Sequence, residues 1–456
     1  MIDAAPLAMF LTTFIALIAG YPVALTLAGV ALIFALIGTI FGIFNPSDLG
    51  FTAGRLFGLV TNQTLIAIPL FVFMGVTLEK TKIAESLLSD LSSLFGRSRS
   101  GLAATVILVG ALMAASTGIV GATVVTMSLM ALPVMLKAGY DARLATGTIS
   151  ATGTLGQIIP PSIALVLLGD VLSNAYQQAQ LNQGIFAPKS VSVGDLFAGA
   201  IVPGLCLVIL YLLYVYTNIL LSKSKIDSKQ ASDQKFNVFS LLASLAPPLL
   251  LIFAVLGSII LGYATPTEAA GIGAAGAILI GIATKRLEFS TIKAISESTL
   301  STTGMVFFIL IGASIFSLVF RGFGGDEQIQ GFFDAMPGGV TTALVVVMVV
   351  IFLLGFILDF IEITFVVVPI VGPVLLAMGV DPIWLGVVIA INLQTSFLTP
   401  PFGFALFYLR GVAPSSIETK DIYLGALPFV GLQILILILL FIYPSIATWL
   451  PARLYG

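Results

Sequence analysis

Ser222-Lys-Ser-Lys-Ile-Asp-Ser-Lys-Gln-Ala-Ser-Asp-Gln-Lys235 is the hydrophilic stretch that stands apart in a chain of 456 residues, and it leaves 221 residues on either side. Outward from it, apolar runs near or above the ~20 residues needed to cross a bilayer recur in both directions. The chain is 59% hydrophobic and 9% charged, with a mean hydropathy of +1.14, whereas soluble chains are about 25% charged. The expected fold is an all-α polytopic membrane protein in two halves, 1–221 and 236–456, joined by the linker 222–235.

Equal halves prompt a search for an internal repeat. At an offset of 240, Pro133 falls on Pro373, Gly139 on Gly379, Asp141 on Asp381, Pro160 on Pro400 and Pro161 on Pro401. Gly194-Asp-Leu-Phe-Ala-Gly199 matches Lys420-Asp-Ile-Tyr-Leu-Gly425 at a shorter offset, because the first half carries a longer Gln/Asn/Ser-rich loop, Ser173 to Val193. Four lysines put the linker in the cytoplasm, and that loop, whose only base is Lys189, outside. The equivalent second-half connection, Arg410 to Lys420, carries both those bases and prefers the inside. Equivalent loops on opposite faces mean an inverted-topology repeat, an architecture of secondary transporters with the site where the repeats meet.

Apolar helices are expected at Leu7–Leu17, Val23–Phe44, Leu144–Val171, Leu196–Leu221, Phe239–Tyr263, Thr267–Thr284, Ile383–Leu409 and Ile422–Leu450. Gly101–Leu136 and Thr341–Met378 are too long for one crossing and are expected as two pieces each. Gly50–Glu79 and Phe289–Phe320 have polar centres, Thr61-Asn-Gln-Thr64 and Ser301-Thr-Thr-Gly304, which coincide at the repeat offset. Both are read as re-entrant hairpins, tolerated at membrane depth where they line a protein cavity. Asp90, Arg97 and Arg99 read as an interfacial loop, and Trp384 and Trp449 as interface anchors.

Composition also removes chemistry. With no histidine there is neither an imidazole ligand nor a Ser-His triad. The single Cys206 forms no internal disulfide, and a net charge of −2 with no basic stripe argues against a nucleic-acid partner. No Gly-rich Lys-Ser/Thr phosphate loop exists, so uphill transport must draw on an ion gradient, worth about 2.3 kcal/mol per charge per 100 mV. An enzyme is not expected, nor an organic cofactor.

The paired Ile159-Pro-Pro-Ser162 and Thr399-Pro-Pro-Phe402 remove backbone donors inside apolar runs and free nearby carbonyls for a cation; a plain kink is the other reading. Ser116, Thr117 and Gly118 offer hydroxyls and an unwinding point, the hard-oxygen type that sodium takes, against ordinary small-residue packing. Asp359 and Glu362, at i and i+3, share a helix face and should point at a cavity or partner, or else bond the backbone of a broken helix. Asn392 and Gln394-Thr395-Ser396 crowd polar groups before the second double proline. Ser116, Thr117, these acids and these polar residues form the candidate substrate site.

Ala67-Ile-Pro-Leu-Phe-Val-Phe-Met-Gly75, Ser116-Thr-Gly118, Ile158-Ile-Pro-Pro-Ser-Ile163 and Gly379-Val-Asp-Pro382 resemble the large membrane subunit of the tripartite ATP-independent periplasmic (TRAP) transporters. Asn392 to Tyr408 is most similar to the branch labelled for mannitol and chloroaromatic compounds. The resemblance implies an elevator-type, sodium-driven uptake subunit in the bacterial inner membrane. Its implied partners are a small four-helix membrane subunit and a periplasmic binding protein delivering an organic acid. Carried over by motif, one sodium site takes Asn62, Gln63 and Thr64 with Ser116, Thr117 and Gly118, near Pro160. A second takes Ser301, Thr302, Thr303 and Gly304 with Gly355, Asp359, Thr399 and Pro400. Ser-Thr-Gly replaces the Ser-Gly-Ser of many members, and Glu362 is an added acid. A proton-coupled carrier using Asp359 and Glu362, and a channel, are the rival readings.

Overall fold

The computed structural model describes residues 4–83, 86–88, 100–221 and 238–455, with the side chains of Ser116, Thr117 and 238–244 outside that description. The linker 222–235 and the loop holding Asp90, Arg97 and Arg99 lie outside the described residues. Every described element is helical, as a chain in lipid requires when its backbone groups have no water to bond. Among the described residues seven helices are long and apolar enough to span a bilayer, and one bent pair adds an eighth.

In chain order the helices are α1 Ala5–Ile18, α2 Val23–Ile40, α3 Phe51–Thr61, α4 Gln63–Lys80, α5 Gly101–Thr117, α6 Val120–Lys137 and α7 Ala142–Thr154. Then come α8 Ile163–Asn182, α9 Val193–Leu221, α10 Val238–Ile260, α11 Pro266–Ala283, α12 Phe289–Gly322 and α13 Gly325–Asp334. The chain ends with α14 Gly339–Leu354, α15 Phe360–Val366, α16 Val368–Ala377, α17 Pro382–Leu398, α18 Phe404–Val412, α19 Thr419–Ile442 and α20 Ser445–Tyr455. Both long apolar runs are split as expected, at Gly118-Ile119 and between Leu354 and Phe360. Both double prolines interrupt a helix, separating α7 from α8 and α17 from α18, and both Pro-Pro bonds are cis. Matching residues do matching work: Asp141 accepts from the Arg143 N–H at 3.0 Å at the start of α7, and Asp381 from the Trp384 N–H at 2.8 Å at the start of α17.

Two compact units emerge, each drawing segments from both halves of the chain. The first holds Met1–Ile66, Leu167–Ser192 and Ser301–Gly386. In it α1 packs on α2, and α13 and α14 pack on α16, around buried Met9, Leu27, Phe316 and Val368. Leu7, Ile15, Leu25 and Leu36 are exposed, the outward apolar surface of a helix pair in lipid. The second holds Ala67–Val166, Val193–Leu300 and Val387–Gly456. Here α7 is wrapped by α5, α6 and α19, and α9 packs on α20. The α7–α19 crossing is backbone on backbone: a Cβ at Gly147 would collide with the Gly425 carbonyl, so only glycine permits that approach.

The first expected polar centre does interrupt the helix, at Asn62 between α3 and α4, but the second does not. α12 runs unbroken through Ser301, Thr302, Thr303 and Gly304, so no tip forms there. That segment has no proline, and Ser and Thr are tolerated inside membrane helices; the chain turns instead at Gly324, at φ 76°. The fold-backs lie in the split runs, α5 on α6 in the second unit and α14 on α16 in the first. α15 and α16 are bent by 56°. The expected loop from Ser173 is helical to Asn182. Trp384 is buried, not an interface anchor, whereas Trp449 is exposed.

Candidate functional site

In the second unit the α5–α6 tip is built by Gly118, whose φ of 63° closes α5 with its N–H bonded to the Ala114 carbonyl at 2.9 Å. The tip sits against the broken segment between α7 and α8. A Cβ at Gly118 would lie 3.2 Å from the Ile163 N, and one at Gly156 would lie 3.0 Å from the Ala114 O. Within the break, Gln157 is 1% exposed and neither amide atom has a partner among the described residues, while the Ser162 hydroxyl donates to the Gln157 carbonyl at 3.0 Å. The carbonyls of Ile158, Ile159, Pro160 and Pro161 accept no hydrogen bond among the described residues. Two successive prolines bring no N–H to the segment, so carbonyls without donors concentrate in the break. The side chains of Ser116 and Thr117, at that tip, lie outside the described residues.

The polar residues of α17 divide in two. The hydroxyls of Thr395 and Ser396 donate into their own helix, to Ile391 O at 2.7 Å and Leu393 O at 2.8 Å, and Thr399 donates to Thr395 O at 2.7 Å. Those donors are spent on the backbone. Gln394, fully buried, faces the Tyr211 hydroxyl. Gln433 Nε2 donates to that hydroxyl at 2.7 Å and to Thr154 Oγ1 at 3.4 Å, giving a buried amide–phenol cluster that bridges α7, α9 and α19. Asn392 is also buried. Pro400 and Thr399 line the break before α18, where the Tyr423 hydroxyl donates to the Pro401 carbonyl at 3.0 Å.

The first unit holds Asn62, Gly355, Asp359 and Glu362, so the expected pairings of Asn62–Thr64 with Gly118, and of Asp359 with Thr399, each draw on two units. Asp359 and Glu362 do not share a helix face. Asp359 is the N-cap of α15, accepting from the Phe360 N–H at 2.7 Å, and Glu362 reaches back to accept from the Asp359 N–H at 3.0 Å. This reciprocal capping box satisfies the orphan donors of a helix that starts inside the protein. Both acids thus bond the backbone of a broken helix, and Gly355 closes the preceding α14. Asn62 also caps: its Oδ1 accepts from the Thr64 N–H at 2.9 Å, while its Nδ2 donates to Asp170 Oδ1 at 3.0 Å. Gln63 is exposed on the first turn of α4.

That Asn62–Asp170 bond lies on a cavity of about 460 Å³ in the first unit, bounded by α3, α8, α12 and the α15–α16 bend. Arg55 and Arg321 line it with Asn174, Gln178, Ser314 and Ser317. Arg321 donates to Gln178 Oε1 at 3.2 Å and pairs with Asp326 at 3.3 Å. Arg55 makes no hydrogen bond or salt bridge among the described residues. Arg55, Asp170 and Arg321 were not singled out from the sequence. The available signal was the cost of ionisable groups in apolar helices, which makes each a functional candidate. Among the described residues no three Asp, Glu or Cys side chains gather as a metal cluster.

The sequence comparisons agree on one family. The C4-dicarboxylate TRAP transporter large permease of Vibrio cholerae is 29% identical over 96% of both chains. The sialic acid TRAP transporter large permease of the same organism is 26% identical over 96% of this chain and 97% of that one. The ectoine TRAP transporter large permease of Halomonas elongata is 26% identical over 85% and 86%. Among solved structures, the Alcanivorax borkumensis YdaH transporter shares the fold with a TM-score of 0.63 and 16% identity, covering 88% of each chain. The Neisseria gonorrhoeae MtrF structure follows at 0.59 and 14%, over 87% and 83%. The sequence model described as "Tripartite ATP-independent periplasmic transporter, DctM component" matches residues 10–446, and the chain therefore belongs to that family, as a multi-pass transport subunit and not an enzyme.

Proposed function

We propose that the chain is the large permease of a sodium-driven secondary transporter that imports an organic acid by an elevator movement in the bacterial inner membrane. It acts with a small four-helix membrane subunit, and a periplasmic binding protein hands over the acid. The halves 1–221 and 236–456 form the inverted repeats, with the linker 222–235 in the cytoplasm. The observation that carries the reading is the α5–α6 tip against the double-proline break. Gln157 and four carbonyls without partners among the described residues belong to the break that packs on the Gly118 tip, and they make a neutral oxygen set that suits a hard monovalent cation with no acidic cluster or imidazole. Sodium enters there as cargo. C4-dicarboxylate and sialic acid, in the names of relatives, support an acid as the substrate.

The test is uptake of candidate organic acids into proteoliposomes holding this chain with its small subunit, with and without binding protein and an inward sodium gradient. Uptake should require all three components. Uptake that ignores sodium and follows a proton gradient would overturn sodium coupling, and uptake without the binding protein would overturn the three-part assembly.

A further inference from the structure

The polar cavity of the first unit has two unlike ends. Helices rise about 1.5 Å per residue, so Arg55 and Asn62 stand about 10 Å apart along α3, and Asp170 and Gln178 about 12 Å apart along α8. Asn62 is bonded to Asp170, and Arg321 to Gln178. Arg55 feels the charges of Arg321 and Asp326, which places it with them. The two helices therefore run antiparallel along the cavity, with guanidinium groups at one end and a carboxylate held by an amide at the other. Ser314 and Ser317, one turn apart on α12, line the space between.

Arg321 pairs with Asp326, and Asp170 has the Asn62 amide. Arg55 feels Asp326 as well as Arg321 but makes no hydrogen bond or ion pair among the described residues, and the Asp326 carboxylate it feels is already paired with Arg321. In a membrane protein an unpaired guanidinium beside a like charge calls for an anion, and its planar fork matches a carboxylate. At the far end the Asp170 carboxylate repels a second carboxylate and accepts from a hydroxyl or ammonium. We propose that this cavity binds a monocarboxylate whose far end carries hydrogen-bond donors, with the carboxylate at Arg55 and the donors at Asp170. The assignment rests on the reading of the chain as an organic-acid carrier and narrows its substrate to monocarboxylates.

Matched probes separate the two ends. D-gluconate and D-glucarate share a polyhydroxylated six-carbon chain and differ by one terminal carboxylate; 6-aminohexanoate and adipate form the ammonium-bearing pair. Binding is measured on the full chain purified in detergent with its small subunit, at fixed sodium without a gradient, so that coupling does not enter. At least one monocarboxylate should bind tenfold or more tightly than its diacid partner. Arg55→Gln should weaken it at least tenfold, Arg55→Lys less, and Asp170→Asn should bring the diacid within threefold of the monoacid.

Should the Arg55 variants not elute as monodisperse protein, maleimide labelling of Ser317→Cys in a Cys206→Ser background gives a second readout, slowed by the monoacid and not by the diacid. Equal binding of both members of each pair, inorganic phosphate competing as well as the monoacid, or full binding by Arg55→Gln would each overturn the proposal. Sodium-driven uptake that survives Arg55→Gln would overturn this site and leave the transport reading standing. Intact binding with no gradient-driven uptake would do the reverse.

Discussion

Gln157, like Gln394, is a buried amide with no hydrogen-bond partner among the described residues, and it stands in the double-proline break. A buried amide with neither atom bonded costs about 1–3 kcal/mol, and an unbranched apolar replacement removes that cost. Gln157→Met should therefore leave the detergent melting temperature unchanged or raised, while the sodium concentration for half-maximal uptake rises about tenfold, equivalent to ~1.4 kcal/mol. An unchanged sodium dependence in Gln157→Met would remove the amide from the cation site. Asp359 and Glu362 teach the opposite lesson. As an acidic pair in an apolar run they read as ligands, yet their oxygens bond the first amides of α15. Their spacing is the capping-box spacing, and whether such a helix begins there or passes through is a property of the fold.

At the scale of elements, two glycines distinguish the fold-backs from the helix mistaken for one. Gly304 lies within α12, and an added Cβ there would meet nothing within 4 Å, so Gly304→Ala should stabilise the protein by about 0.5–1 kcal/mol and leave uptake intact. A hairpin tip at Ser301–Gly304 would make the same change harmful. Gly147→Ala drives a Cβ into the Gly425 carbonyl, and overpacking of this kind costs about 1–3 kcal/mol. Its expected signature is a lower midpoint in heating followed by size-exclusion chromatography. The split of Gly101–Leu136 and Thr341–Met378 was legible in length, although the breaks fall at Gly118-Ile119 and before Phe360, away from the prolines of those runs. The placement of the second tip was not legible, because a Ser/Thr-rich centre is carried inside a membrane helix as readily as it breaks one.

For the whole molecule, orientation is the property that sequence charge addresses directly. The single crossing α9, Val193–Leu221, separates the Gln/Asn-rich segment from the lysine linker. In a Cys206→Ser background, Ser228→Cys should react with a membrane-impermeant maleimide only after permeabilisation, and Gln183→Cys in sealed right-side-out vesicles as well. The reversed pattern would invert the topology, and labelling of both from one side would break it.

The sequence by itself determined the membrane class, most of the long apolar helices and the double-proline breaks, and it showed the offset-240 matches between the halves. The first three follow from local rules: apolar length against bilayer thickness, and the missing N–H of proline. It determined the family through motifs spread over nearly the whole chain. Only the tertiary structure decided which polar groups meet. Arg55, Asp170 and Arg321 lie on three helices separated by more than a hundred residues of sequence at each step, and they converge on one cavity because α3, α8 and α12 pack around it. Gln433 and Tyr211 likewise meet through packing of α9 and α19. Side-chain partnership across helices depends on rotation and register at the interface, and apolar periodicity in a chain buried or lipid-facing on every side carries little of that information.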